Sequence, residues 1–234
     1  MALYSNPKIV TDGLVLTLDA GSENSYPGSG TTWTNLIDNS TYAASNASIG
    51  TATPGVMTLN GTSDYIQLPD TSDLEFGTNP ITIDFWFNGG TQSTSYPAII
   101  SNMSWSVGGD GFAIRYDNTN QDNRITLTWR EMGDPFIRSD ALTHNTWYYV
   151  TLVRDGTTIS FYINGDLHDS DTISVDKIID LTYGGGARIG HGSWDNANGY
   201  FAGSVAVPRI YKNKALSTTE ITQNFNAQRN RFGI

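Results

Sequence analysis

Between residues 146 and 172 the chain reads TWYYVTLVRDGTTISFYINGDLHDSDT, runs of aromatic and β-branched residues punctuated by Asp155-Gly156 and Asn164-Gly165. No other stretch restricts the fold so tightly. A two-residue hairpin turn that follows strand twist needs positive φ at its centre, which Asp-Gly and Asn-Gly tolerate and β-branched residues resist. Three consecutive antiparallel strands are therefore predicted. In the first, Trp147, Tyr149, Thr151 and Val153 share one face, and Tyr148, Val150, Leu152 and Arg154 the other. In the second, Ile159, Phe161 and Ile163 oppose Ser160 and Tyr162, so one face is buried. The first strand is apolar on nearly both faces, which suits a central strand whose outer face is itself partly covered.

Further strand-like runs recur at 14–18, 56–59, 64–68, 81–87, 98–101, 112–116, 124–129, 187–190 and 204–211. In ITIDFWF, Ile81, Ile83, Phe85 and Phe87 alternate with Thr82, Asp84 and Trp86, the pattern of a half-buried strand. Many short strands joined by turn chemistry predict a sandwich or barrel. Gly- and Ser-rich stretches at 21–32, 88–95, 104–111 and 184–199 read as its long loops. One helix is predicted near the end, where Ser217-Thr218-Thr219-Glu220 forms a capping box and Leu216 and Ile221 flank it as a staple. It is expected to be short and to pack on the sandwich edge, with RNRFGI following as a tail that docks through Phe232 and Ile234.

The 234 residues hold one core comfortably, and neither a repeat nor a linker-like shift divides them, so a single domain over 1–234 is expected. With 13 Lys+Arg against 23 Asp+Glu the net charge is −10, which argues against nucleic acid as a partner, because phosphate binding rests on clustered cations. There is no cysteine for disulfides or thiolate metal sites. The N-terminus lacks a basic stretch followed by an apolar one, and no run approaches the ~20 apolar residues of a membrane span. The corresponding expectation is a protein made and kept in a cytosol, or one that leaves by a route other than a signal peptide.

The order MTLNGTSDYIQLP, ITIDFWF, TWYYVTLVRDGTTISFYINGDL, ARIG and YFAGSVAVPRIYKNKALSTTEI resembles the laminin-G-like, concanavalin A-like jelly-roll family over roughly residues 10–226. That resemblance implies an all-β, two-sheet antiparallel jelly-roll sandwich with one short C-terminal helix. The flanks NPKIVTDGLVLTLDAGSENSYPGSGTTWTNL and YKNKALSTTEITQNFNAQRNRFGI resemble a stand-alone variant of this domain in structural proteins of tailed phages, especially those of marine bacteria and cyanobacteria. Residues 37–55 match the family pattern poorly. What the resemblance implies is a non-enzymatic virion-surface protein, a capsid decoration or fibre-like component assembled in the host cytoplasm. Its expected partners are other virion proteins, major capsid or tail proteins among them, and a homo-oligomer is compatible with such a position. A glycan-binding tail adhesin that contacts host surface polysaccharide is the alternative, and a glycoside hydrolase or lyase stands third.

Glycoside hydrolysis needs two carboxyl groups ~5–9.5 Å apart. The four glutamates, Glu23, Glu75, Glu131 and Glu220, are isolated in sequence, and Asp84 stands alone on its strand, so no catalytic residue is expected. His144, His168 and His191 fall in or beside turns, where a solvated side chain is expected. Sugar binding wants aromatic platforms beside amides and carboxylates, because a sugar offers a C–H face and a rim of hydroxyls. HGSWDNANGY, 191–200, supplies both, and Trp194, Asp195, Asn198 and Tyr200 are the candidate glycan-binding residues. In many laminin-G-like domains aspartates and carbonyls at the rim hold calcium, which seeks six to eight oxygens. The resemblance thus makes Ca2+ the one cofactor to consider, with Asp19, Asp117 and Asp122 as candidate ligands. A frequent family form of the late strand is Gly-x-Ile-Asp-x-Val, and Ala206 stands here where that form carries its aspartate.

Overall fold

The structure is a computed structural model. It describes residues 7–45, 48–50, 55–68, 71–93, 97–103, 111–117, 123–129, 133–173, 186–192 and 199–234. Its strands begin with β1 (Leu14–Thr17), β2 (Thr32–Thr34), β3 (Thr41–Ser45), β4 (Ser48–Gly50), β5 (Val56–Asn60) and β6 (Tyr65–Gln67). Then come β7 (Ile81–Gly89), β8 (Ala98–Ser101), β9 (Phe112–Asp117), β10 (Arg124–Trp129) and β11 (Gly133–Arg138). The chain closes with β12 (Trp147–Asp155), β13 (Thr158–Ile163), β14 (Asp166–Thr172), β15 (Arg188–Ile189), β16 (Ala202–Lys212) and α1 (Thr218–Phe232).

The strands form two antiparallel sheets. The first runs β14-β13-β12-β7-β16-β5-β4, with β1 also on β16; the second runs β11-β10-β9-β8-β15-β6-β3-β2. Between them lies the main core. Ile83, Phe85 and Phe87 of β7, Val150 and Leu152 of β12 and Phe161 of β13 meet Ile66, Ile100, Ile114, Ile125, Leu127 and Ile189 from the second sheet. Alternation thus assigns the opposite side of every strand to the outside of the sandwich.

The hairpins of the 146–172 stretch are present, and the two turns differ. Ile163 pairs with Asp166, which leaves Asn164 (φ 54°) and Gly165 (φ 91°) as the centre of a two-residue turn with positive φ at both positions. Asp155 instead pairs with Thr158, so the centre is Gly156-Thr157 and only Gly156 (φ 58°) needs the left-handed region. As its two apolar faces predict, β12 is central, flanked by β13 and β7.

The cover on its outer face is α1. The capping box is formed, Ser217 Oγ accepting from the Glu220 N–H while the Glu220 carboxylate accepts from the Ser217 N–H at 2.8 Å. The helix then runs for 15 residues to Gly233, whose φ of 77° ends it in the left-handed conformation. Two expectations are corrected by this. The helix lies across the outer face of the first sheet rather than on the sandwich edge, and most of RNRFGI is helix rather than tail. The reason is apolar surface: Trp86, Tyr149, Val153 and Tyr211 present a second cluster there, and Leu216, Ile221 and Phe232 bury it. Phe232 stacks on Trp86 with ring centroids 4.2 Å apart, while Ile234 stays partly exposed. Among the described residues, no helix is long and apolar enough to cross a membrane.

Residues 37–55, poor in family pattern, still supply β3 and β4. Strand β11, which contains Pro135, likewise lies outside the strand-like runs of the sequence.

Candidate functional site

The outer faces of the two sheets carry different chemistry, and each is organised around an arginine. On the first sheet, Asp84 and Arg209 are both fully buried, with Arg209 Nε donating to Asp84 Oδ1 at 2.5 Å. A bulge in β16 makes this pair. Ala206 pairs with Trp86 and Arg209 with Asp84, so two residues, Val207 and Pro208, stand opposite one. The extra residue reverses the parity of the strand, turning Arg209 outward beneath the helix and Ile210 into the core. Val207 pays with a φ of 48°, unusual for a β-branched residue.

Asp84 is therefore not alone. Tyr149 donates to its Oδ2 at 2.7 Å and Asn224 of α1 at 3.2 Å. Gln228 Oε1 accepts from both Arg209 Nη1 and Trp86 Nε1 at 3.1 Å, and Asn224 also reaches Val10 and Tyr211. Burial pushes the Asp84 carboxyl up, opposed by Arg209 and the donors from Tyr149 and Asn224. For Arg209 burial works against the charge, yet the Asp84 carboxylate, together with Tyr149 and Tyr211, offsets it and holds the guanidinium above its ordinary value. Sealed under α1 and with its hydrogen-bonding capacity taken, this network ties the helix and the N-terminal segment to the sheet. It has the character of a structural clasp.

On the second sheet, Ile66 and Ile189 point into the core, so Tyr65, Gln67 and Arg188 point out. Gln67 Nε2 donates to the carbonyls of Leu68 and Ala187, which turns its Oε1 toward Arg188 Nε at 3.0 Å. Arg188 Nη1 lies 3.0 Å from His191 Nδ1. A guanidinium can only donate, so His191 accepts there, and its imidazole is neutral with the proton on Nε2. The Arg188 guanidinium also lies 4.9 Å from the centroid of the Tyr65 ring. Tyr200 completes the group: it bridges to His191 as an isolated β-bridge, and the two rings stack with centroids 3.9 Å apart and planes at 23°. The result is an aromatic and amide surface around one half-buried cation.

Of the residues singled out in the sequence, Tyr200 is in this group. Trp194, Asp195 and Asn198 lie outside the described residues, as do Asp122 and the side chain of Asp117. Tyr65, Gln67 and Arg188 carried no sequence signal beyond ordinary strand alternation. His191, expected in solvent, is buried at 3% exposure, because Tyr200 covers one face and Arg188 caps one nitrogen. His168 accepts from the Asp140 N–H, and His144 lies 3.3 Å from the Tyr116 hydroxyl.

Asp19 does not fit a calcium ligand as the chain is folded. Arg231 of α1 holds it in a fork, Nη1 to Oδ2 at 2.8 Å and Nη2 to Oδ1 at 2.6 Å, so a cation there would have to displace a guanidinium. Among the described residues, no three His, Cys, Asp or Glu side chains converge as a metal-binding group.

Two antiparallel sheets packed face to face, with one covering helix, define a lectin-type jelly-roll sandwich. A laminin-G-type family model described as the concanavalin A-like lectin/glucanases superfamily matches residues 60–222, and the chain belongs to that family. No curated protein matches it. Among solved structures, the binding domain of Paraclostridial Mosquitocidal Protein 1 superposes with a TM-score of 0.69 at 19% identity, over 93% of this chain and 53% of that one. Trypanosoma rangeli sialidase in complex with sialic acid gives 0.72 at 15% identity, over 97% and 35%. Domain 4 of AbnA, a GH43 extracellular arabinanase from Geobacillus stearothermophilus in complex with arabinotriose, gives 0.57 at 18% identity, over 90% and 97%. The chain thus spans about half of the first of these and about a third of the sialidase. At such identities the likeness is one of fold.

Proposed function

We propose that this domain is a non-catalytic carbohydrate-binding module, and that saccharide lies on the outer face of the second sheet over Tyr65, Gln67, Arg188, His191 and Tyr200. The observation that carries this reading is the Tyr200–His191 stack beside the Gln67–Arg188 pair. The half-buried Tyr65 and Tyr200 rings supply apolar surface for sugar C–H groups, and the Arg188 guanidinium supplies donors for hydroxyls. The arabinotriose complex of the arabinanase domain supports it by analogy of fold alone.

A binding rather than hydrolytic role is favoured by the carboxylates. Among the described residues, Glu23 and Glu75 are exposed on separate connections, and Glu220 is committed to its helix cap and to Lys214. Asp84 is sealed under α1. We place the module on the virion surface of a tailed phage, as a capsid decoration, fibre-like component or tail adhesin, on the resemblance of its flanking segments; immunogold labelling of purified particles tests that setting.

The binding reading is tested by titrating the chain against a panel of host surface polysaccharides. Saturable binding that Tyr200→Ala weakens by about tenfold, the worth of a good aromatic contact, is the expected result. A blank panel, or unchanged affinity in a folded Tyr200→Ala protein, contradicts it.

A further inference from the structure

Arg188 is unlike the other outward-facing arginine considered above. The protein has a net charge of −10, so carboxylates are abundant, yet Arg188 has none within ion-pair distance among the described residues. Its partners are the Gln67 amide oxygen, the neutral His191 nitrogen and the Tyr65 ring. These fix the guanidinium plane and leave its charge unneutralised. Nη2 donates to no described protein group. Half-burial makes such a charge costly unless something of opposite sign completes it.

Among the described residues, Arg115, Arg124 and Arg138 occupy outward registers of β9, β10 and β11 on the same sheet as Arg188. Arg124 is answered by Asp140 at 3.9 Å, and Arg115 lies against the Met103 sulfur. A planar fork with free donors, held beside stacked aromatics, matches a carboxylate or sulfate displayed on a sugar ring.

We infer that the saccharide bound on this face carries an acidic group, a carboxylate or a sulfate, and that Arg188 is the residue that reads it. The inference rests on the carbohydrate-binding reading above and narrows it to anionic saccharides. Gln67 and His191 are positioning residues for Arg188: the one is anchored to two backbone carbonyls, and the other is held by Tyr200.

The experiment is a calorimetric titration of the full chain with two matched pairs, an oligouronate and its carboxyl-reduced form, and a sulfated oligosaccharide and its desulfated form. The acidic member of at least one pair is expected to bind about tenfold more tightly, as a charge-assisted pair provides, and to lose that margin as salt is added. Arg188→Gln is expected to abolish the preference, so that the acidic and neutral members of each pair bind alike. Arg188→Lys, which keeps the charge without the fork, retains part of the preference and serves as the readout if the Gln variant does not fold. Equal affinity within both pairs overturns the inference and leaves carbohydrate binding standing. Failure to bind any of the four overturns both. A preference that survives in folded Arg188→Gln overturns the role of Arg188.

Discussion

Arg209 and Arg188 sit on the outer faces of the two sheets, and the difference between them separates scaffold from site. Arg209 is fully buried, paired with Asp84 and roofed by a helix whose Asn224 and Gln228 complete the network. Arg188 is half-buried, held by an amide, an imidazole and a phenol ring, and has no carboxylate among the described residues. One charge is spent inside the molecule and the other is left available at its surface. The same alternating backbone produces both, because each sheet turns one face to the shared core. What covers the other face decides its use.

The largest effect that sharpens this contrast is expected at the buried pair. Arg209→Met strands the Asp84 carboxylate and is expected to cost about 3–5 kcal/mol in urea unfolding. The double variant Asp84→Leu/Arg209→Met is expected to recover most of that, since a buried ion pair owes little of its stability to the charges themselves. Phe232→Ala, which removes the ring stacked on Trp86, is expected to cost about 3 kcal/mol by the same measurement. Ser217→Ala removes the helix cap and is expected to cost about 1 kcal/mol. The Arg188→Gln substitution closes the series: it strands no buried charge, only neutral partners, and is expected to cost about 1–2 kcal/mol, well below the loss at Arg209. A loss there as large as at Arg209 would erase the distinction.

Acid adds a test at the start of α1. The Glu220 carboxyl is held below its ordinary value first by the hydrogen bond from Lys214 and then by the Ser217 N–H. A depressed folded pKa contributes stability that is present above the unfolded value, about 4.3, and is lost as pH falls through the folded one. Helical circular dichroism is therefore expected to decline slightly below pH 4 in the native chain. Glu220→Gln, which has no carboxylate to titrate, is expected to lack that component.

The sequence made the 146–172 hairpins and the helix start readable because their signals are local. Asn164-Gly165 dictates its turn, and Ser217 and Glu220 find each other within one helical turn. The helix end was not readable, because Asn224, Gln228 and Arg231 are polar side chains whose partners, Asp84, Arg209 and Asp19, lie on other elements of the chain. Asp84 seemed isolated for the same reason, its arginine being reached only through a bulge that no composition announces. TWT, TYAAS and SIG carry little strand signal because each is short and rich in small or hydroxyl residues, as strands near sheet edges often are. At the site, Tyr200 stood out as an aromatic in a turn-rich stretch. Gln67 and Arg188 become neighbours only through the register of β6 against β15, which strand patterns do not specify.

The central claim is that ligand binds on the outer face of the second sheet and not on the helix side. Chemical-shift mapping of the isotopically labelled chain during titration with a bound oligosaccharide tests it directly. The account predicts that the shifts concentrate on Tyr65, Gln67, Arg188, His191 and Tyr200, with α1 and β14 unmoved. Shifts centred on α1 or along β14, with the Arg188 group silent, would contradict it.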